Sequence, residues 1–138
     1  MPDCIFCKIT SGHVPAEVLY EDEKTISFLD IQPMNDGHAL VIPKAHAADI
    51  FAIPEADWLA VTSTVHKVAQ AVEKALSPDG LNIVMNNKSA GGQIVFHAHV
   101  HVIPRKEGDG HLKAARTYVL DPQDAPALGA KIRNALTQ

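Results

Sequence analysis

Residues 96–103 read Phe96-His97-Ala98-His99-Val100-His101-Val102-Ile103, so three histidines alternate with apolar residues. Successive side chains of a β-strand point to opposite faces, which would place the three histidines on one face, about 6.5–7 Å apart. The intervening apolar side chains would lie on the other face and be buried. The stretch therefore predicts a strand over Val95–Ile103 with a row of imidazoles on its exposed face.

Imidazole titrates near neutral pH and can act as a nucleophile, a general acid or base, or a metal ligand. Just before the histidines, residues 89–93 form a glycine-containing loop, Ser89-Ala90-Gly91-Gly92-Gln93. Backbone N–H groups in such a loop can turn toward an anion. Solvated strand positions could also carry histidines, but the strict alternation disfavours that interpretation. The pattern predicts a phosphate site beside the histidine row.

The segments on either side indicate an α+β fold. Apolar residues recur every three or four positions from Pro54 to Leu76, which is typical of a long amphipathic helix. Shorter helices are predicted over Ile5–Thr10 and Pro126–Leu136. Four further strands are predicted at Val18–Tyr20, Thr25–Leu29, His38–Pro43 and Leu81–Asn86. Hairpin connections and one long helix favour a mostly antiparallel sheet with a helix on one face.

Composition excludes several classes of protein. The 138 residues suit one domain, and 46 % hydrophobic with 20 % charged residues is ordinary for a globular chain. No apolar run reaches the roughly 20 residues that span a bilayer, so no membrane association is expected. The N-terminus lacks the features of a signal peptide, which predicts a cytoplasmic protein. A net charge of −4 argues against binding a nucleic acid polymer.

Cys4 and Cys7 are the only cysteines and form a C-x-x-C pair. A structural disulfide is disfavoured in a reducing compartment. A redox motif of this kind would follow a strand and open a helix, whereas this pair stands near the start of the chain. A metal site would need two further ligands, which the histidines could supply.

The histidine stretch resembles the signature of the histidine triad (HIT) family of nucleotide hydrolases and transferases, His-φ-His-φ-His-φ-φ, where φ is apolar. Other segments are similar to the family as well: Cys4–Ile9, Phe28–Ile31, Gly37-His38, Val41–Lys44 and Gly91–Gln93. The resemblance covers about residues 3–106 of a single domain spanning 1–138, with 107–138 less well matched. It implies a five-stranded antiparallel sheet, one long helix, a short C-terminal helix and a homodimer whose sheets join.

The resemblance also implies roles for individual residues. His99 would attack the α-phosphate of a purine nucleotide conjugate and form a covalent nucleotidyl-histidine. His101 would contact phosphate and help protonate the leaving group, and His38 would complete the phosphate site. The other implied substrate-binding residues are Asn86, Gly92 and Gln93 near the phosphate, and Asp30, Phe28, Ile31 and Phe6 around the ribose and base of an AMP-like ligand.

The same resemblance suggests zinc held by Cys4, Cys7, His46 and His97, a closed Cys₂His₂ structural site. The alternative is that both cysteines are merely packed thiols. One departure from the family is Ile94, which stands where a serine or threonine hydroxyl commonly touches phosphate.

The leading prediction is a hydrolase of purine nucleoside phosphoramidates. Residues 104–106, Pro-Arg-Lys, instead favour a dinucleoside polyphosphate hydrolase of the fragile-histidine-triad kind. Ile94 favours a nucleotide-binding regulatory protein with little catalysis. A metal-storage role built on the histidine row is a further alternative.

Overall fold

The computed structural model describes residues 3–111 and 119–136, built around a five-stranded antiparallel sheet in the order β1-β2-β3-β5-β4. The strands are β1 Val18–Glu21, β2 Thr25–Leu29, β3 Ala39–Pro43, β4 Gly80–Val84 and β5 Val100–Arg105. The helices are α1 Ile5–Thr10, α2 Glu55–Leu76 and α3 Ala125–Leu136. The predicted α+β class, with five strands, one long helix and a short C-terminal helix, is confirmed.

Helix α2 covers one face of the sheet. Its buried residues Val61, Val68 and Val72 pack against the side chains that β3 and β5 send to that face: Ala39, Val41, Val100 and Val102. Each buried aliphatic side chain contributes roughly 1.5–3 kcal/mol, which makes this layer the main core. The predicted apolar stripe is confirmed except at its end, where Leu76 is half exposed.

The opposite face is only partly covered. Phe6 of α1 packs there on a second buried cluster formed by Ile26, Phe28, Leu40 and Ile42 of β2 and β3. This arrangement leaves the part of the face formed by β5 and β4 uncovered by any helix within the described residues. An open concave surface beside a short helix is where a ligand can reach the sheet.

The predicted strand over Val95–Ile103 begins five residues too early and ends two residues too early, because β5 spans Val100–Arg105. The backbone before it bonds to neighbouring loops instead of the sheet: the Ala98 N–H donates to the Ala47 carbonyl at 2.7 Å. Phe96 is half exposed rather than buried, while His97 and His99 are buried rather than exposed. The expectation of an exposed row of imidazoles was therefore wrong.

Gly37 brings the chain into β3 with a φ of +91°, a backbone conformation that favours glycine. A Cβ at this position would lie 2.3 Å from Cδ1 of Leu76. The glycine therefore allows residues 35–38 to pass close to the end of α2, and it sets the position of His38.

None of the helices in residues 3–111 and 119–136 combines the length and apolar character that crossing a bilayer requires.

Candidate active site and metal centre

A cleft of about 530 Å³ lies between α1, the open face of the sheet and the loop over residues 88–95. Its volume falls in the range of small-molecule sites. Nine sequence-predicted residues line it: Phe6, Phe28, Asp30, Ile31, His38, Asn86, Gly92, His99 and His101. The structure thus gathers the predicted catalytic residues and nearly all predicted substrate contacts in one place.

His99 is held in a single tautomer. Its Nδ1 lies 2.7 Å from the carbonyl oxygen of His97, and an oxygen can only accept a hydrogen bond. Nδ1 therefore carries the proton, and in the neutral ring Nε2 keeps its lone pair. Burial lowers the pKa of His99, which favours that neutral form. The ring is prepared to act as a nucleophile through Nε2.

His38 and His101 form a directed hydrogen-bond chain. The Met34 N–H donates to His38 Nδ1 at 3.0 Å, so the proton of neutral His38 is on Nε2. Nε2 of His38 lies 2.9 Å from Nδ1 of His101 and donates to it. The remaining nitrogen of His101, Nε2, then carries a proton. The cleft thus contains a nitrogen with a free lone pair on His99 and a donor nitrogen on His101. The centroids of these two rings are 5.0 Å apart.

Burial lowers the pKa values of these histidines and so favours their neutral forms. It lowers the pKa of His101 to about 4, with the adjacent His99 and His38 rings adding to the shift. Burial also lowers the pKa of His38, although the nearby Asp30 carboxylate opposes this. An anionic ligand would reverse part of the shift, because a negative charge stabilises imidazolium.

Asp30 stands at the end of β2, where the cleft turns toward α1. Its Oδ1 accepts the Gln32 N–H at 2.9 Å, and its Oδ2 lies 3.6 Å from Nε2 of His38. Apolar side chains surround it on the α1 side: Ile5, Phe6, Ile9, Phe28 and Ile31. A carboxylate at the edge of an apolar pocket can accept hydrogen bonds from hydroxyl groups while the pocket takes a flat apolar ring.

The glycine-containing loop is braced by Gln93. The Gln93 side chain accepts from the Lys88 N–H at 2.7 Å and donates to the Ala48 and Val95 carbonyls. All its polar atoms are occupied within the protein, and it does not line the cleft, unlike the other predicted substrate contacts. Gly92 lines the cleft beside Asn86, with a φ of +90°. Ile94 follows it and lines the cleft too.

Cys4, Cys7, His46 and His97 form a second cluster behind His99, with their ligand atoms within 4.8 Å of one another. The Sγ atoms lie 3.4–3.6 Å from the nearest histidine Nδ1 atoms, and the two Nδ1 atoms are 3.2 Å apart. Zn–S and Zn–N bonds of about 2.3 and 2.0–2.1 Å in a tetrahedron require N–N and S–N separations of roughly 3.3–3.6 Å. The cluster therefore fits a tetrahedral zinc ion.

Tautomers distinguish this cluster from the other possible one, formed by Asp30, His38 and His101. His97 donates from Nε2 to the Pro43 carbonyl at 2.8 Å, which leaves its Nδ1 lone pair for a metal. In His38 the Met34 N–H already occupies Nδ1, so a metal on Nε2 would require an imidazolate. The cysteine-containing cluster is the better metal site. Burial and the neighbouring Cys4 raise the pKa of the Cys7 thiol, and a bound cation would oppose this.

Phe6 connects the two sites. Its ring contacts His97 and His99 edge-on, with centroid distances of 5.9 and 5.1 Å. It also packs on Phe28 in the wall of the cleft, at 5.5 Å. Because α1 carries Cys7 as well as Phe6, the candidate metal site and the cleft share one helix.

Several contributors were missed from the sequence. The Met34 N–H and the Pro43 carbonyl fix histidine tautomers, but backbone groups leave no signal in the residue types. Val84 and Ile103 also line the cleft. Only the register of β4 with β5, where Val84 pairs with His101, reveals Val84 as a neighbour of the histidines.

Comparison with known proteins gives a consistent match. A family model described as HIT domain matches residues 11–108. The adenylylsulfatase HINT3 of Arabidopsis thaliana is 43 % identical over 107 residues, which cover 78 % of this chain and 54 % of that protein. The adenosine 5'-monophosphoramidase hnt1 of Schizosaccharomyces pombe is 37 % identical over 134 residues, covering 96 % of this chain and 98 % of that protein.

A solved structure matches the fold. The crystal structure of a Zn-bound histidine triad family protein from Mycobacterium smegmatis superposes with a TM-score of 0.76 at 36 % identity. The match covers 97 % of this chain and 98 % of that one. The sheet and helices described above therefore form a known fold.

Proposed function

The chain belongs to the HIT domain family, and from this membership we propose that it hydrolyses purine nucleoside phosphoramidates through a covalent intermediate on His99. The relatives named as an adenylylsulfatase and an adenosine monophosphoramidase support a nucleotide hydrolase in general. The observation that carries the finer proposal is the hydrogen bond from His99 Nδ1 to the His97 carbonyl, which leaves Nε2 free to attack phosphorus.

In the first half-reaction, binding of the anionic phosphate raises the pKa of the hydrogen-bonded His38 and His101 imidazoles, so that the pair takes up one proton. The His99 Nε2 lone pair then attacks the α-phosphorus, and the P–N bond to the amine breaks. The amine leaves with the electron pair of that bond and receives the Nε2 proton of His101, while the Nε2 proton of His38 passes to Nδ1 of His101. The products of this step are a free amine and a nucleotidyl-His99.

In the second half-reaction, water attacks the same phosphorus. His101 accepts a proton from the water at Nε2 and returns its Nδ1 proton to His38, and His99 leaves with its electron pair as a neutral imidazole. AMP is released, and the histidine pair gives up the extra proton to solvent, so the enzyme returns to its starting charge. Asp30 would bind the ribose hydroxyls, while Phe6, Phe28 and Ile31 would contact the base. Asn86 and Gly92 would contact the phosphate.

A test measures AMP release from adenosine phosphoramidate, with detection of adenylated protein after a rapid acid quench. His99→Asn should lower kcat by 10³-fold or more and abolish the adenylate, because Asn lacks the nucleophilic nitrogen. His66→Asn, a change of an exposed histidine on α2, serves as the matched control. Unchanged turnover in His99→Asn would reject the mechanism. AMP binding without turnover by the wild-type protein would favour the regulatory alternative.

The composition of the cleft weighs against a dinucleoside polyphosphate. No lysine or arginine is among the described residues that line it. Arg105, in the segment that favoured this substrate, is instead bound by Asp109, Asn82 and the His111 carbonyl, outside the cleft. A polyphosphate leaving group carries several charges, which need cations to compensate for their lost hydration. An amine does not.

Zinc is proposed for Cys4, Cys7, His46 and His97. The ligand spacing and the free His97 Nδ1 support it, as does the Zn-bound relative. When bound, zinc would supply structural cross-linking and no chemistry at phosphorus, because four protein ligands close its coordination. Two free thiols also suit a reducing compartment, in line with the expected cytoplasmic location. Elemental analysis of untagged protein would test this assignment, and less than one zinc in ten chains would reject it.

We also propose a homodimer formed through β4. This strand is at the edge of the sheet, and its Ile83 is half exposed, as is the nearby Leu76 at the end of α2. An unpaired edge with apolar neighbours is suited to pairing with a second copy. Light scattering should give twice the monomer mass, whereas a monomer at micromolar concentration would contradict the proposal.

A further inference from the structure

The sheet register divides the cleft into two halves. His101 pairs with Leu40 of β3 on one side and with Val84 of β4 on the other. Paired residues point to the same face, so these three side chains form a row across the floor of the cleft. Asp30 and the apolar wall of α1 lie beyond Leu40. The loop carrying Gly92 and Ile94 belongs to the other half, since Gly92 is beside Asn86, two residues after Val84.

The chemistry assigns an occupant to each half. In displacement at phosphorus, the attacking and leaving atoms are in line on opposite sides of the phosphorus. The attacking Nε2 belongs to His99, whose ring contacts Phe6 of α1 at a centroid distance of 5.1 Å. With the nucleoside in the half that contains Asp30 and the aromatic wall, the leaving group is directed away from α1, toward the half formed by Val84, Ile94 and Ile103. This half ends in branched aliphatic side chains, with the side-chain amide of Asn86 beside Gly92.

We propose that Val84, Ile94 and Ile103 form a leaving-group subsite that selects amines with an apolar substituent, and that Ile94 is its main specificity-determining residue. The inference rests on the proposed function and names its substrate class more closely. Ile103 is almost fully buried, so it provides the floor of the subsite. Ile94 is 86 % exposed, so nearly its whole side chain is available to a ligand.

The charge distribution supports the same selection. No cation or carboxylate is among the described residues that line this half of the cleft, and Asp30 is on the other side of the histidines. A cationic amine substituent would lose hydration there without a partner, while an alkyl chain would gain roughly 0.8 kcal/mol per buried methylene. Apolar amines should therefore react faster than short or charged ones.

The experiment compares adenosine phosphoramidates of methylamine, n-pentylamine and 1,5-diaminopentane linked through one nitrogen. The first two leaving amines have similar basicity, so the chemical step is matched. We expect kcat/KM for the pentyl compound to exceed that of the methyl and aminopentyl compounds by about tenfold, less than full burial of four methylenes would give. Ile94→Ser should reduce both ratios to about threefold or less, and Ile94→Val, the matched control, should retain them.

Binding of the same compounds to His99→Asn separates this inference from the proposed function. The variant cannot react, so calorimetry reports the subsite alone. Tighter binding of the pentyl compound than of the other two supports the subsite if this difference is lost in the double variant that carries His99→Asn and Ile94→Ser. This holds even if the wild-type protein turns over none of the compounds. Equal affinities for all three compounds, or equal kcat/KM values in a wild-type protein that does hydrolyse them, would overturn it.

Discussion

The carbonyl oxygen of His97 accepts a hydrogen bond of 2.7 Å from Nδ1 of His99. The imidazole of His97 itself points into the cysteine cluster with Nδ1 and donates to the Pro43 carbonyl with Nε2. One residue therefore contributes its side chain to the candidate metal site and its backbone to the orientation of the nucleophile. The candidate metal site and the nucleophile are therefore only two residues apart in the chain, at His97 and His99.

Removing the metal should weaken nucleotide binding. Without the proposed zinc, Cys4 and Cys7 would no longer be cross-linked to His46 and His97, and α1 would hold Phe6 less firmly against His99 and Phe28. Because structural zinc contributes several kcal/mol to small domains, we expect His46→Asn to lower the melting temperature and to raise the Kd for AMP by about tenfold. Calorimetry with AMP measures this effect.

The matched control for that prediction is His13→Asn. His13 is an exposed histidine whose Nδ1 contacts Ser11 and which lies outside the cluster. Its replacement should leave both quantities unchanged. Equal AMP affinity in zinc-loaded and chelator-treated wild-type protein would contradict the link between the sites.

Replacing His38 should slow catalysis by freeing the tautomer of His101. His38→Leu removes the Nε2–H that donates to His101 Nδ1. General acid–base groups contribute 10²–10⁴-fold, so we expect kcat to fall by about 10²-fold. His38→Gln can still accept from the Met34 N–H and donate onward, and it should restore part of the rate. If the two variants are equally active, the hydrogen-bond chain has no role in catalysis.

Stability should decrease as the pH falls from about 6.5 to 4. Folding lowers the pKa of His101 to about 4, so in this interval the unfolded chain binds a proton that the folded chain does not. The groups facing the ring are His99, His38 and Asp30, and only Asp30 opposes the shift. The free energy of unfolding should fall by at most ~1.4 kcal/mol per pH unit for this group.

Urea unfolding at pH 7 and pH 5 checks this expectation. His101→Asn should show a smaller difference between the two pH values than the wild-type protein. Loss of metal ligands at low pH affects both proteins alike, so the comparison isolates His101. Identical pH dependence would show that His101 titrates in the folded protein as it does in the unfolded chain.

Gly37→Ala should destabilise the protein more than Gly12→Ala. Both glycines have positive φ, +91° and +82°, and a left-handed conformation costs a residue with a Cβ about 1–2 kcal/mol. Only at Gly37 would the new methyl meet another atom, Cδ1 of Leu76 at 2.3 Å. Chemical denaturation should give a further loss of up to about 1 kcal/mol for Gly37→Ala. Equal losses would mean that Leu76 moves aside freely.

Most of the fold was predictable because its signals are local. The three- and four-residue spacing over α2, the polar–apolar alternation at the start of β2 and the continuous apolar run of β3 follow from where each side chain must be buried. The error at β5 arose because residues 95–99 have the residue types of a strand but form hydrogen bonds to loop residues. The Ala98 N–H donates to the Ala47 carbonyl, and the Val95 carbonyl accepts from the Gln93 side chain. Such long-range partners override local preference, and their positions are not readable from the alternation.

By itself, the sequence determined which residue types meet at the site, since the histidine alternation, the C-x-x-C pair and the glycine-containing loop are all visible in it. Only the tertiary structure decided which nitrogen of each histidine carries a proton. That choice depends on the backbone N–H of Met34 and the carbonyls of Pro43 and His97, and such groups are common to nearly all residue types. The tertiary structure likewise placed Val84 beside His101, because strand register follows from packing of the whole sheet.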